Sequence, residues 1–248
     1  MKVLSVAGYH KTGKTTLVIN LIEELKKRGK KVVSIKDIHN EDFSMDKEGS
    51  DSYKHLQTNG ETVFARGLSQ TYQIWKRRLS LNEMLSRLDA DFVIVEGMKS
   101  AALPRILCAE NEEQLTELLN DSVFLISGKI ADNLNDFRQI PVLRSQNEIE
   151  KIADLVEEKV FEVLPFPENG KCRACGLSCR QMVGEILKGN RKRTDCKTDR
   201  LEESKLKING KEIKMAPFVQ NIFHDTVLGF VKNLKGYEKG KIEITINE

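Results

Sequence analysis

The chain has few aromatic residues, no large excess of charge of either sign and no long apolar run. Aromatics are 6% of its 248 residues, too few for the row of stacking rings that grips single-stranded nucleic acid. Its 40 basic and 37 acidic residues leave a net charge of only +3, so no global positive field marks a polyanion binder. The one dense basic stretch, Lys188 to Arg193, is too short to change that. The first apolar run, Val3–Ala7, falls far below the ~20 residues that span a bilayer and the ~7–15 of a signal-peptide core. Internal repeats and low-complexity tracts are also missing. The expectation is a cytoplasmic protein with reduced thiols, whose five cysteines serve metal binding or reactivity and not disulfides.

What is present is an alternation of strand and helix patterns over residues 1 to 163. Apolar β-type runs are expected at Lys2–Ala7, Lys31–Lys36, Thr62–Ala65, Thr71–Trp75, Asp91–Val95, Arg105–Cys108, Ser122–Ile126 and Pro141–Leu143. Helical spacing marks Thr15–Arg28, Ser50–Thr58, Ser80–Leu88 and Glu148–Val163. The pattern predicts an α/β fold: a mostly parallel sheet of the P-loop NTPase type with helices on both faces. At Leu164 the texture changes. The segment Leu164–Lys171, with two prolines and a glycine, reads as a linker. Beyond it, residues 164–248 are expected to form a small α+β cysteine module ending in a helix (Pro217–Asn233) and a strand (Lys241–Asn247).

Gly8-Tyr9-His10-Lys11-Thr12-Gly13-Lys14-Thr15 fits G-x-x-x-x-G-K-[ST] between a strand and a helix, with Thr16 next in the helix. Glycines let the loop wrap with its N–H groups pointing inward at phosphate oxygens, and the helix N-terminus adds a positive dipole end. Lys14 would neutralise the β and γ phosphates, and the Thr15 hydroxyl would coordinate Mg²⁺. Glu96 closes the apolar run Phe92–Val95, at the strand end where α/β sheets bind ligands. It is the expected second Mg²⁺ ligand, with Gly97 allowing backbone approach to a γ-phosphate. Asp37 is the alternative metal partner or water-positioning group.

Three further stretches carry a family likeness: Lys36 with His39, the run Asp46–Ser52 ending in Asp51-Ser52, and Val95-Glu96-Gly97-Met98-Lys99. Together with the loop, their order and spacing over residues 1 to 160 resemble the MobB family of molybdopterin-guanine dinucleotide biosynthesis, a family of P-loop GTP-binding proteins. The resemblance implies GTP with Mg²⁺, assistance to the enzyme that guanylates molybdopterin, weak GTP hydrolysis and a homodimer. Lys36, His39, Asp51, Ser52 and Lys99 would converge on one electropositive crevice suited to an anionic pterin phosphate beside the GTP. The chain departs from the family at Asp37, where histidine is frequent. It also lacks an Asn-Lys-x-Asp guanine-reading motif; Gly128-Lys129-Ile130-Ala131-Asp132 is a loose candidate for that role. Guanine specificity is therefore borrowed from the resemblance.

Cys172, Cys175, Cys179 and Cys196 follow a C-x₂-C-x₃-C pattern with one distant fourth cysteine. This is similar to four-cysteine [4Fe–4S] modules, in which thiolates hold the irons. Zinc is the competitor, since a Cys₄ structural site also uses C-x₂-C. Lys171, Arg173, Arg180, Arg191, Lys192 and Arg193 surround the cysteines and read as compensation for their negative charge. Cys108, alone at a strand end, reads as a small buried hydrophobe.

The function expected is a GTP-binding accessory protein of molybdenum or tungsten cofactor synthesis with an iron–sulfur module, docking a client oxidoreductase in one version. Two other classes remain. One is a nucleotide-dependent metallochaperone or cluster carrier. The other is a small-molecule kinase with Asp37 or Asp51 as base and Arg66, Arg77 or Arg78 on a lid.

Overall fold

The computed structural model describes residues 1–40, 42–168, 172–198, 204, 206–213, 215, 217–238, 240 and 242–246. Lys171, and the ends Lys241 and Asn247 of the expected last strand, lie outside them. The chain divides into two compact units, Met1–Cys196 and Lys197–Glu248.

In chain order the first unit runs β1 (Lys2–Gly8), α1 (Lys14–Lys27), β2 (Val32–Lys36), α2 (Asp51–Asn59), β3 (Thr62–Arg66), β4 (Thr71–Trp75), α3 (Leu81–Leu85), β5 (Phe92–Glu96), β6 (Arg105–Cys108), α4 (Glu112–Leu118), β7 (Val123–Ser127), β8 (Asp136–Phe137), β9 (Ile140–Pro141), α5 (Ile149–Lys159) and α6 (Cys179–Leu187). Five strands form one sheet in the order β2-β5-β1-β6-β7, every neighbouring pair parallel. From β1 the chain leaves toward β2, and from β6 it leaves toward β7. The crevice between β1 and β6 is therefore the topological switch point, where open α/β sheets bind ligands at the carboxyl ends of their strands. The expected α/β class with a parallel sheet is what the chain adopts.

Strand periodicity assigns side chains to faces. Leu4, Val6, Phe92, Ile94, Ile106 and Cys108 point to one face, where they pack with Leu17, Leu21 and Leu25 of α1 and Ile152 and Val156 of α5. The alternate residues Val3, Val93 and Val95 point to the other and pack under Leu81 and Leu85 of α3. Leu107 and Ile126 lie over the remaining part of the sheet with Leu115 of α4 and Ile130 and Ala131 of the 3₁₀ turn Lys129–Asp132. Arg28, just past α1, ties that helix to α5 through Asp154 at 2.7 Å and Glu157 at 2.8 Å.

Several expectations needed revision. The runs Thr62–Arg66 and Thr71–Trp75 pair only with each other, as an antiparallel hairpin outside the main sheet. At the expected strand Pro141–Leu143, only Ile140–Pro141 forms a short ladder and Val142 a single bridge to Ile126, because proline has no N–H to give. Helices α4 and α6 were not foreseen. The first part of the stretch expected to be a linker packs within the first unit: Leu164 is 1% exposed, and the Ala102 N–H donates to the Pro167 carbonyl at 2.7 Å.

The second unit holds an unforeseen hairpin, β10 (Leu206–Ile208) with β11 (Lys211–Ile213), and the expected helix, α7 (Pro217–Val231). Residues 242–246 carry no strand. Their alternating isoleucines promise one, yet a strand needs a partner ladder, and β10 and β11 use each other.

Leu21 is fully buried between α1 and the sheet. Leu21→Ala should cost about 2–5 kcal/mol, read as a lowered urea midpoint with an unchanged m-value; a loss within ±0.5 kcal/mol would contradict this packing. Arg28, the largest cause, with burial opposing it, holds the Glu157 carboxyl below its ordinary value. The stability it contributes is then present above the unfolded value of ~4.3 and disappears as pH falls through the folded value. Glu157→Gln should therefore lower stability at neutral pH and converge with the parent in acid, as measured by denaturation across pH; a gap that stays constant in acid would show no such linkage.

Candidate functional site

The site begins where β1 meets β6. Gly8 faces Cys108 in the parallel register, and a Cβ on Gly8 would lie 2.0 Å from the Cys108 carbonyl oxygen. Only glycine permits this approach. The loop then turns through Lys11, at φ +60, to Gly13, at φ +95, immediately before α1. No side chain caps α1, and its first turn holds no acid, so its N–H groups and dipole end stay available to an anion. Within the loop Thr12 Oγ1 donates to the Tyr9 carbonyl at 2.9 Å. Lys14 Nζ donates to the same oxygen. Burial holds Lys14 below the ordinary lysine value, against the raising influence of Cys108 and Glu96.

The carboxyl ends of β5 and β2 supply the next groups. Glu96 and Lys36 are register partners as the last residues of their strands. Glu96 Oε1 accepts from Thr15 Oγ1 at 2.9 Å and lies 3.2 Å from Lys36 Nζ. A hydroxyl and a carboxylate converging beside a phosphate-type loop make an oxygen donor pair of the kind Mg²⁺ takes. Asp37 follows, its N–H donating to the Glu96 carbonyl at 2.9 Å. Its carboxylate is held by Arg78 at 2.9 Å and lies 3.2 Å from His39 Nε2. Gly97 takes φ +100, and a Cβ there would come within 3.1 Å of the Asp37 carbonyl oxygen.

A cavity of about 670 Å³ opens above these groups, lined by residues 10–16, Lys36, Glu96, Gly128, Lys129, Asp132 and residues 144–146. His10, Lys11, Thr12, Gly13, Lys14, Thr15, Thr16, Lys36 and Glu96 are thus brought together. Other candidates are not among the lining residues. The Tyr9 ring carries Lys99 Nζ 4.3 Å from its centroid, and its hydroxyl donates to Glu117. Ser52 Oγ donates to Asp46 at 2.9 Å, and Asp51 pairs with Lys54 at 3.2 Å; both serve the start of α2, whose cap is Ser50. Of the residues expected to share a crevice with Lys36, none of Lys99, Asp51, Ser52 and His39 lines this cavity: Lys99 lies over Tyr9, His39 beside Asp37, and Asp51 and Ser52 at the start of α2.

Gly128, Lys129 and Asp132, which line the cavity, belong to the stretch Gly128–Asp132 that the sequence offers as a loose guanine-reading candidate. A Cβ on Gly128 would lie 2.3 Å from the Thr12 carbonyl oxygen, so the turn after β7 packs directly on the phosphate loop. Arg144, Ser145 and Gln146 gave no signal at all, since their place depends on β7 and α5 meeting the same cavity.

The cysteines gather elsewhere in the first unit. Ser178 starts α6 with a capping box to Gln181. Cys179 packs with Ala102, Leu164, Met182 and Val183, flanked by Cys175 and Cys196. Burial chiefly raises the Cys179 thiol; the Phe166 N–H lowers it, and the charges of Cys196, Cys172 and Cys175 raise it further. Among the described residues, no three His, Cys, Asp or Glu side chains form a group that would hold a metal ion. Cys108 is buried, and burial pushes its thiol up to about 12, the state of a packing residue.

Residues 3–127 match the family of molybdopterin guanine dinucleotide synthesis protein B (MobB). The chain is 29% identical to a putative molybdopterin-guanine dinucleotide biosynthesis adapter protein of Methanocaldococcus jannaschii, over 100% of this chain and 99% of that protein. It is 30% identical to the corresponding adapter protein of Escherichia coli, over 62% of this chain and 91% of that one. The crystal structure of Bacillus subtilis MobB superposes with a TM-score of 0.55 at 19% identity, covering 66% of this chain and all of that one; this likeness concerns the fold. A loop, strand order and strand-end acid of this kind, with matches of this extent, place the chain in the MobB family.

Proposed function

We propose that the protein is a GTP-binding adapter of molybdopterin guanine dinucleotide biosynthesis, which holds Mg²⁺-GTP and assists the enzyme that joins the guanine nucleotide to molybdopterin. The observation that carries this reading is the open cavity over the uncapped α1 terminus, with Lys14, Thr15 and Glu96 gathered at one end. The loop amides and the α1 dipole would receive the phosphates. Lys14 would exchange the Tyr9 carbonyl for phosphate oxygen, and its desolvated ammonium suits that task. Thr15 and Glu96 would hold Mg²⁺, with Lys36 giving up its place at Glu96. When bound, Mg²⁺ neutralises charge on the β and γ phosphates.

The Asp37 carboxylate, the expected alternative water-positioning group, is engaged by Arg78. This arrangement favours holding the nucleotide over fast hydrolysis and supports a weak GTPase. Of the lysines expected to take a pterin phosphate, Lys36 lines the cavity and supports that part of the reading. Apolar residues exposed on the β3–β4 hairpin, Phe64, Leu68 and Tyr72, favour a docking face for the proposed homodimer. A client oxidoreductase remains the partner proposed for the cysteine region.

The cysteines are proposed to hold an iron–sulfur cluster, with zinc as the competitor. The packing of Cys175 and Cys196 against Cys179 supports this reading, and two arginines hold the neighbouring stretch Lys99–Ala101. Arg105, 3% exposed, donates to Ser5 Oγ and to the carbonyls of Lys99 and Ala101. Arg180, next to Cys179, donates to the Ser100 carbonyl at 2.6 Å. No carboxylate partner is seen for either among the described residues.

Lys14→Ala should weaken Mg²⁺-GTP binding roughly tenfold or more in calorimetric titration, with the nucleotide-free melting curve unchanged. Equal affinity would remove the phosphate role of the loop. Anaerobic purification of the full chain should yield iron and acid-labile sulfide in equal amounts, lost in a Cys179→Ser variant. Zinc without sulfide would replace the cluster, and no metal in either form would remove the centre.

A further inference from the structure

Resting on the reading that the loop Gly8–Thr15 and Glu96 hold Mg²⁺-nucleotide, we infer that the stretch Gly97–Leu103 couples that site to the cysteines. A change that displaces Cys179 then weakens the hold on Mg²⁺-nucleotide, and the cysteine region reports its state to the nucleotide.

At the nucleotide end, Gly97 follows Glu96 directly, and its N–H donates to the Val6 carbonyl of β1 at 2.9 Å. The chain leaves β5 through two left-handed residues, Gly97 at φ +100 and Met98 at φ +51. A non-glycine residue stays in that region only where its surroundings hold it there, and Met98 is buried in the cluster of Val95, Ala101 and Leu103. Lys99 then sets its Nζ 4.3 Å from the centroid of the Tyr9 ring. The stretch thus meets the phosphate loop through a side chain and meets β1 through its backbone.

At the cysteine end, Arg180 stands next to Cys179 on α6, and its Nη2 donates to the Ser100 carbonyl at 2.6 Å. Ala102 packs in the cluster of Cys179, Met182 and Val183, while its N–H donates to the Pro167 carbonyl at 2.7 Å. Arg105 Nη2 takes the flanking carbonyls, Lys99 at 2.8 Å and Ala101 at 3.1 Å. Arg105 is itself fixed to β1 through Ser5 Oγ at 3.1 Å. Three successive carbonyls are therefore held by arginines, two from the sheet and one from α6.

So held, the stretch transmits displacement. Cys179 is 9% exposed, and a close-packed cluster relieves added bulk by moving its neighbours, not by compressing. Movement of Cys179 is passed on twice, by contact to Ala102 and through the Arg180 hydrogen bond to Ser100. The far end is intolerant of such a shift, because Mg²⁺ takes its oxygens at about 2.0–2.1 Å in near-ideal octahedral geometry. A few tenths of an ångström at Glu96 would misplace one of them. Arg180 acts through Ser100 and touches no nucleotide; it is a positioning residue. The coupling is reciprocal, so a nucleotide that fixes Glu96 opposes the same displacement at Cys179.

The test is a double-mutant cycle on the full chain, with Mg²⁺-GTP affinity read by calorimetric titration. Cys179→Leu adds bulk, and Cys179→Ser, which removes the sulfur without adding bulk, is its reference; each is made with Arg180 present and with Arg180→Ala. Beside Arg180, the leucine variant should bind Mg²⁺-GTP roughly fivefold or more weaker than the serine variant. In the Arg180→Ala background the two should differ by less than about twofold. Where Cys179→Leu does not fold, Cys179→Met brings bulk on a more adaptable side chain and is read in the same way. Equal affinities beside Arg180 would overturn the coupling. So would a loss just as large without Arg180, which marks a general loosening of the fold. In either case the parent still binds Mg²⁺-GTP and the phosphate loop stands. A parent that binds no Mg²⁺-GTP would sink both readings.

Discussion

The structure turns on the close approach of three backbones around Gly8, Gly13 and Gly128. A Cβ at Gly8 would sit 2.0 Å from the Cys108 carbonyl oxygen, one at Gly128 would sit 2.3 Å from that of Thr12, and one at Gly13 would lie 3.4 Å from the Gly128 Cα. These contacts pull the loop after β1 down between the ends of β6 and β7. Without them the N–H groups at the start of α1 would not face a cavity. They would front solvent, where water satisfies them and an anion gains little. Sheet topology sets up this meeting, because β1 and β6 are neighbours whose outgoing chains diverge and leave a crevice between them.

Charges are distributed along that crevice in a consistent order. Lys14, within the loop, is partly buried and desolvated. Next comes the triad of Thr15, Glu96 and Lys36, in which one carboxylate is shared by a hydroxyl and an ammonium. Protein groups satisfy one another here: the Tyr9 carbonyl takes Lys14, and Glu96 takes Lys36. On the proposed reading each of these contacts would be exchanged for a polyphosphate and its cation, without leaving a buried charge unpaired, which would otherwise cost several kcal/mol. Asp37, held by Arg78 one residue beyond Lys36, is spent on fixing the rim.

The stretch from Gly97 to Leu103 serves two neighbourhoods. It begins directly after Glu96, and Ala102 near its other end belongs to the packed cluster around Cys179. Arg105 and Arg180 hold its carbonyls at Lys99, Ala101 and Ser100. The cysteine-bearing segment is in this way built onto the nucleotide-binding body, through α6 and the packed stretch that leads to it.

The sequence by itself determined the parallel α/β core and the phosphate-type loop. Both are local facts: apolar runs of strand length between helical patterns, and a glycine pattern whose only economical backbone is a wrapped turn before a helix. Gly8 to Thr16, Lys36 and Glu96 were legible for that reason. The tertiary structure alone decided which other residues share the cavity. Asp51 and Ser52 match a family pattern, yet their hydrogen-bonding reach is satisfied at the start of α2. Arg144, Ser145 and Gln146 carry no pattern and arrive at the site because α5 and the segment before it pack on α1. The cysteine spacing likewise proposed a ligand set, while the packing around Cys179 set where that set resides. Short-range spacing specifies the conformation of a segment; which side chains face one another across a crevice follows from strand order and core packing, and neither is written within any one segment.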